Sequence, residues 1–326
     1  MILKPSYCKF FYLAFVAIQI LSACSKADAE GISKDVSANV SVNLTYELKE
    51  YLYDGSGVAA KEENVLSGAS KIRYVVRAYP VKNGRIQDTY IKECNYSKAL
   101  DEGYNNNFSM ELAPGEYEIM VWSDIIEDGH YFHNASDFSE ITLQGVHEGN
   151  NANREAFRGS SRIVVEDSDL SCSIKMERPL GRFKLIADDL VDFVSNQSED
   201  NPSVNLDDYS VVVSYVGYMP SAYSMITDKP VDSSVGVYFT SSCEQLNDSE
   251  AFLGYDYVFA NESNTTVTIQ VALYNRSGKC VSSSKSVKVG LKRNHCTILK
   301  GKFMSSEPSE GIKIETKYEG SYNIKI

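Results

Sequence analysis

Apolar and polar residues alternate with period two along most of the chain, the pattern of strands half-buried in a sheet rather than of helices. Val40-Ser41-Val42-Asn43-Leu44-Thr45-Tyr46 alternates without a break. Ile72 to Tyr79 is β-branched and aromatic, and the pattern ends that strand at Pro80. Val81-Lys82-Asn83-Gly84-Arg85-Ile86 then sets an Asn-Gly pair between two strands, the sequence of a tight hairpin. Residues 108–112 lead into Ala113-Pro114-Gly115, where proline fixes φ for a turn and glycine accepts a positive φ. Glu116 to Trp122 is expected as the next strand, followed by strands over 160–165 and 170–177.

The composition breaks near Arg178-Pro179, and a new strand is expected over 181–187. A helix follows it. Asp188 or Asp189 is placed to cap it, and Leu190, Phe193 and Val194 fall on one helical face. Residues 196–205 form a polar loop, and strands are expected over 211–216, 234–240, 265–274, 283–289, 296–304 and 322–326. Short strands at near-regular spacing, with Gly, Asn and Asp between them, predict sandwiches rather than a parallel sheet. The expected fold is therefore mainly β, with antiparallel β-sandwich domains over 39–178 and 179–326 and one short helix. A mature chain of roughly 300 residues is large for one core, which also favours two.

The first residues change the picture from a plain β protein to an exported one. Lys4 and Lys9 precede a nearly uncharged apolar run from Phe10 to Leu21, too short to span a bilayer. Leu21-Ser22-Ala23-Cys24 closes the run and resembles the bacterial lipobox. Residues 1–23 are thus expected as a signal peptide, with Cys24 acylated and residues 24–38 a polar tether. A thiol carries diacylglycerol as a stable thioether, and each buried methylene contributes about 0.8 kcal/mol to membrane binding. The expected location is the outer membrane, lipid-anchored and facing the cell surface. Cleavage removes Lys4 and Lys9 and moves the net charge from −12 to −14. So acidic a chain disfavours nucleic acid, where each phosphate contact needs a cation. Cys94, Cys172, Cys243, Cys280 and Cys296 remain, odd in number, widely spaced and without a CxxC pair. They indicate neither a zinc knuckle nor a disulfide framework, and buried free thiols are the reading preferred over one or two disulfides.

Few residues suggest chemistry. His130-Tyr131-Phe132-His133 lies near Asp124, Glu127 and Asp128, but its spacing matches neither a helical His pair nor a calcium loop. Ser residues lack a Gly-x-Ser-x-Gly elbow. The acid pairs Glu62-Glu63, Asp188-Asp189 and Asp207-Asp208 would point to opposite faces of a strand. Nothing here nominates an enzyme, a metal or a cofactor. Tyr215, Tyr218, Tyr223 and Tyr238 form the one aromatic cluster that could meet a sugar or a partner protein.

Several stretches taken together resemble the fimbrillin-like proteins of Bacteroidales, the type V pilus family. Trp122-Ser123-Asp124, Tyr131-Phe132-His133-Asn134, Asp137-Phe138 and Arg154-Glu155-Ala156-Phe157 resemble its N-terminal domain. Arg178-Pro179-Leu180-Gly181-Arg182-Phe183 is similar to its domain boundary. Lys292-Arg293-Asn294-His295-Cys296-Thr297, then Gly301, is similar to its C-terminal signature, and Glu319-Gly320-Ser321-Tyr322-Asn323 to its closing strand. The resemblance implies two transthyretin-like sandwich domains and a lipoprotein precursor. It also implies partners among pilus subunits or surface ligands, met by strand complementation: an exposed sheet edge accepts a strand from a neighbour. Shaft subunits of that family lose their first strand to a trypsin-like protease at a basic site. Here no Arg precedes Arg73, and only Lys49, Lys61 and Lys71 lie nearby. That departure favours an anchor or accessory subunit. A glycan-binding surface lipoprotein is the alternative.

Overall fold

The computed structural model describes residues 37–46, 70–127, 129–198, 204–305, 313–319 and 321–325. Before Arg178 the chain forms β1 (Ala38–Tyr46), β2 (Ser70–Lys82), β3 (Arg85–Ile86), β4 (Lys92–Ala99), β5 (Asn107–Leu112) and β6 (Gly115–Glu127). β7 (His130–Tyr131), β8 (His133–Asn134), β9 (Ile141–Leu143), β10 (Ala156–Val165) and β11 (Leu170–Met176) follow. Beyond it come β12 (Leu180–Ala187), α1 (Leu190–Ser198), β13 (Tyr209–Tyr215), β14 (Tyr218–Ser224), β15 (Lys229–Val235), β16 (Tyr238–Ser242) and β17 (Glu244–Gln245). The chain closes with β18 (Ala251–Phe259), β19 (Thr265–Asn275), β20 (Cys280–Ser283), β21 (Val287–Leu291), β22 (Cys296–Gly301), β23 (Lys313–Glu319) and β24 (Ser321–Lys325).

Facing sheets bury the alternating apolar positions. One sheet runs β11-β1-β5, and the sheet opposite it runs β10-β6-β2, with β4 and β3 along the far side of β2. Between them lies a core of Val40, Val42, Ile72, Val76, Met110, Ile119, Val121, Ile174 and Met176. A second core holds Phe183, Leu185, Val211, Val213, Leu253, Ile269, Val271 and Leu299. It separates the sheet β17-β18-β12-β22-β24-β23 from β16-β13-β19-β20. The expected mainly-β, sandwich-forming chain is what the structure has. Its ladders are not all antiparallel: β1–β11, β12–β22 and β22–β24 run parallel.

A small sheet, β15-β14-β9-β8, takes β8 and β9 from before Arg178 and β14 and β15 from after it. A third apolar cluster accompanies it, with Val75, Trp122, Phe138 and Ala156 against Leu180, Tyr223, Tyr255 and Phe259.

Several expectations change. The strand expected to stop at Pro80 continues to Lys82. The Pro80 carbonyl accepts from the Gln87 N–H, so its nitrogen faces the β3 side. The missing N–H therefore costs the ladder to β6 nothing. At the hairpin, Asn83 and Gly84 both take positive φ, 52° and 73°, as its turn requires. Ala113-Pro114-Gly115 passes the chain from β5 in one sheet to β6 in the facing one, and Gly115 is not in the positive-φ region. The strand expected over 234–240 breaks at Gly236, φ 69°, into β15 and β16, which join different sheets. That over 283–289 divides into β20 and β21, both on β19. β22 ends at Gly301 rather than 304. Helix α1 buries Leu190 and Phe193 but leaves Val194 exposed. The Asp189 carboxylate accepts from the N–H groups of Met304 and Ser305, tying the helix start to the chain after β22. Part of the loop expected over 196–205 lies outside the described residues, as does Asp128.

Candidate functional site

The strand that the strand-exchange expectation singles out is β1. Its even-numbered residues Ala38, Val40, Val42 and Leu44 are all buried, whereas Asn39 and Ser41 face solvent. β1 lies between two neighbours: Val40 to Tyr46 pair in parallel with Leu170 to Met176, and Ala38 to Asn43 pair antiparallel with Leu112 to Asn107. Taking it out would expose two rows of backbone N–H and C=O groups and the core beneath them. Burial of Val40, Val42 and Leu44 is worth on the order of 5–9 kcal/mol at about 1.5–3 kcal/mol per side chain, an upper figure for area bookkeeping. Of the basic residues considered for cleavage, Lys49 and Lys61 lie outside the described residues. Lys71 and Arg73 sit inside β2 with ladders on both sides. The lipobox Leu21, Ser22, Ala23 and Cys24, and Glu62-Glu63, also lie outside the described residues.

The four tyrosines do not form one platform. Tyr215 and Tyr223 are buried, and their hydroxyls donate to Asp256 and Asp228. Tyr218 and Tyr238 are 72% and 60% exposed. Tyr238 borders a cavity of about 440 Å³ that also meets Phe132, Val146, His147, Met219 and Phe239. The two nearby histidines part company: His130 is exposed with its ring against Phe132, and His133 is buried against Trp122 and Phe259. Among the described residues no group of three or more His, Cys, Asp or Glu could hold a metal ion. The five cysteines are free thiols; Cys243 and Cys296 are buried, Cys94 and Cys172 half-buried, and Cys280 is exposed, contrary to the reading of buried thiols throughout. Burial pushes the Cys243 thiol up to about 12.

The motif residues, scattered in sequence, meet where β10 and β6 approach β12 and β18. Arg178 donates from Nε to Glu155 and from Nη1 to Asn294 Oδ1 at 3.2 Å, and its guanidinium lies 5.2 Å from the Phe157 ring centre. Arg154 Nη1 donates to Asp256 Oδ1 at 2.6 Å and to the Glu148 carbonyl at 2.7 Å. Asp256 Oδ2 also meets His147 Nε2 and the Tyr215 hydroxyl, each at 2.6 Å. Burial alone would raise the Asp256 pKa, but Arg154 and His147 outweigh it and hold the carboxyl below the usual range. Burial, then the adjacent Asp256 charge, push the Tyr215 hydroxyl well up.

Asp124 is a second buried carboxylate, taking Arg73 Nε at 2.8 Å and Nη2 at 2.6 Å, with His133 Nδ1 at 3.5 Å from Oδ2. Its burial too is outweighed, by His133 and Arg73, and its pKa is lowered. Burial lowers that of His133, which stays neutral. On the exposed side, Asp228 in the β14–β15 turn receives Arg158 Nη2 at 2.6 Å and meets Arg293 Nη1 at 2.9 Å. The groups around Asp256, Asp228 and Arg178 join elements from both sides of Arg178, whereas Asp124, Arg73 and His133 all precede it. Asp228 and Asp256 were not singled out in the sequence. Asp256 had a visible signal, a lone acid inside Ala251-Phe252-Leu253-Gly254-Tyr255-Asp256-Tyr257-Val258-Phe259.

Three solved structures are among those similar to this chain. A candidate polysaccharide-binding protein (DUF1812) of Bacteroides thetaiotaomicron matches at 12% identity, over 76% of this chain and 79% of that one, with a TM-score of 0.43. A candidate cell adhesion protein of Bacteroides eggerthii matches at 11% identity, over 89% and 98%, with a TM-score of 0.43. The fimbrial anchor protein Mfa2 of Porphyromonas gingivalis matches at 11% identity, over 76% and 82%, with a TM-score of 0.41. No curated protein matches the chain. Residues 33–326 match DUF6562, a family of unknown function, and the chain belongs to that family.

Proposed function

We propose that the chain is a fimbrillin-like surface lipoprotein, held at the outer membrane by acyl chains on Cys24, that works by contact and without turnover. It would act as an anchor or accessory subunit whose sheet edges engage pilus subunits or surface ligands, with 39–178 and 179–326 as its two domains. The observation that carries this reading is β1, a first strand seated centrally in its sheet with its inward side chains in the core. A strand so placed can be exchanged for a neighbour's, and one so well buried is also stable if retained. Cleavage at Lys71 or Arg73 is disfavoured because both lie within a paired strand, where a protease finds no accessible backbone. Among the described residues no helix is long and apolar enough to cross a membrane. The support for a lipid anchor is the lipobox-like Leu21-Ser22-Ala23-Cys24 in the sequence.

Mass spectrometry of the protein taken from intact cells tests this. The expected N-terminus is an acylated Cys24, and Cys24→Ser should abolish palmitate labelling and release the protein from envelopes. A native N-terminus beyond Lys49 would point instead to a processed, polymerising subunit. Continued palmitate labelling of Cys24→Ser would overturn the anchor.

A further inference from the structure

The outer face of β2 and β4, turned away from the first core, carries a groove of about 640 Å³. That is within the roughly 300–1,000 Å³ of small-ligand sites. Its walls repeat one arrangement twice. Arg73 bonds the Asp124 carboxylate, donates from Nη2 to the His133 carbonyl at 3.0 Å, and places its guanidinium 4.6 Å from the Tyr131 ring centre. Arg77 bonds the Glu93 carboxylate at 2.6 Å, donates from Nη2 to the Ser136 carbonyl at 3.0 Å, and lies 4.5 Å from the Tyr90 ring centre. The two arginines stand four residues apart on one face of β2, so their Cα atoms are about 13 Å apart by strand rise. Tyr131 is 41% and Tyr90 38% exposed. Each ring thus has a fixed cation beside it and remains partly exposed, the Tyr90 ring also meeting Tyr79 edge to face at 5.9 Å. Between them lie Glu93 and Asn95, the Asn95 amide donating to Glu93. Tyr96 also borders the groove, but it stands opposite Tyr74 of the first core, packs with Tyr74 and Phe108, and lacks the guanidinium that Tyr90 and Tyr131 each have.

The chemistry of the groove selects its ligand. Each guanidinium already has a carboxylate, so the site has no net charge to offer an anion, and the chain at −12 repels polyanions. Planar donors fixed by their own hydrogen bonds, an amide and a carboxylate between two aromatic faces suit vicinal hydroxyls and the C–H faces of pyranose rings. We propose that this groove binds a short, uncharged oligosaccharide, stacked at its two ends on Tyr90 and Tyr131 and hydrogen-bonded between them by Glu93 and Asn95. The site supplies a ligand for the adhesion reading above and rests on it only in needing to face outward.

The test uses the purified mature chain on a glycan array and in native gels containing mannan, dextran, β-glucan or, as the anionic comparison, polygalacturonate. At least one neutral glycan should retain the protein. The double variant Tyr90→Ala/Tyr131→Ala should bind it about tenfold or more weakly, from loss of two stacking contacts. Tyr90→Phe/Tyr131→Phe keeps the rings and should bind within about twofold of the parent. Tyr218→Ala/Tyr238→Ala, which removes exposed tyrosines elsewhere, should bind as the parent does. Retention by no neutral glycan, retention by polygalacturonate alone, or equal binding by the Tyr90→Ala/Tyr131→Ala variant would overturn the proposal. Failure of the groove leaves palmitate labelling at Cys24 untouched, and failure of the anchor leaves glycan retention untouched, so the two readings fall separately.

Discussion

Two carboxylates and a histidine, all fully buried, set how the protein responds to acid. Asp124 and Asp256 keep pKa values below the ordinary carboxylate range, so the folded state resists protonating them while the unfolded chain takes up protons near pH 4. Their contribution is complete above that pH and is lost as pH falls below it. His133 is likewise depressed, mainly by burial, so the unfolded chain binds its proton below about pH 6.5 and the folded chain does not. Urea midpoints should therefore decline in two stages on acidification. His133→Phe should flatten the stage beginning near pH 6.5. Asp256→Asn should cost about 3–5 kcal/mol at neutral pH, because Arg154 loses its counter-charge in the interior. A midpoint that stays level between pH 7 and 5 in the parent would contradict the His133 assignment. At this scale the sequence was only partly legible. A charge inside an apolar run, as at Asp124 and Asp256, shows that a partner must exist, but not that the partners are Arg73 and Arg154. The tyrosines divide because β14 runs from a wet end to a buried one, with two register shifts between: Tyr223 is buried and Tyr218 is not.

Elements were legible where one face is wet and one dry, and obscure where that contrast disappears. β1 and β13 alternate and were found; β18 is buried at all nine positions and shows no period, so periodicity could not reveal it. β4, Lys-Glu-Cys-Asn-Tyr-Ser-Lys-Ala, has the opposite problem: it is mostly wet and owes its extended form to eight register partners on β2. Pairing across the sandwich is a property of distant segments, which is why Ala113-Pro114-Gly115 read only as a turn and proved to be a crossing between sheets. The sharpest steric test at this level is Gly159 on β10. A Cβ there would stand 2.6 Å from Ile174 Cγ2 and 2.7 Å from the Lys175 carbonyl oxygen, both on β11. Gly159→Ala should destabilise the fold by about 1–3 kcal/mol, since a backbone atom of the neighbouring strand has to yield. Chemical denaturation of the variant measures it, and a midpoint equal to the parent's would mean that β10 and β11 do not approach so closely.

At the scale of the whole chain, the question is whether the segments on either side of Arg178 stand alone. Each has a core of its own, but the third cluster belongs to neither: Trp122, Phe138 and Ala156 on one side need Leu180, Tyr223, Tyr255 and Phe259 on the other to exclude water. Hydrogen bonding follows the same division, with Ile141 and Thr142 of β9 paired to Tyr223 and Ala222 of β14. A segment spanning 179–326 would expose those rings and leave one edge of β14 unpaired, while Asp256 would lose Arg154 and His147 and remain a buried carboxylate without a cation. Such a carboxylate either protonates or draws water into the core, and both loosen β18, the strand that carries it. The intact chain from Ser37 onward should therefore melt in one calorimetric transition, and the isolated 179–326 segment should bind a hydrophobic dye and self-associate. Two separate transitions in the intact chain, the later one reproduced by a soluble, dye-free 179–326 segment, would show that the shared cluster contributes little and that the two sandwiches are linked rather than fused.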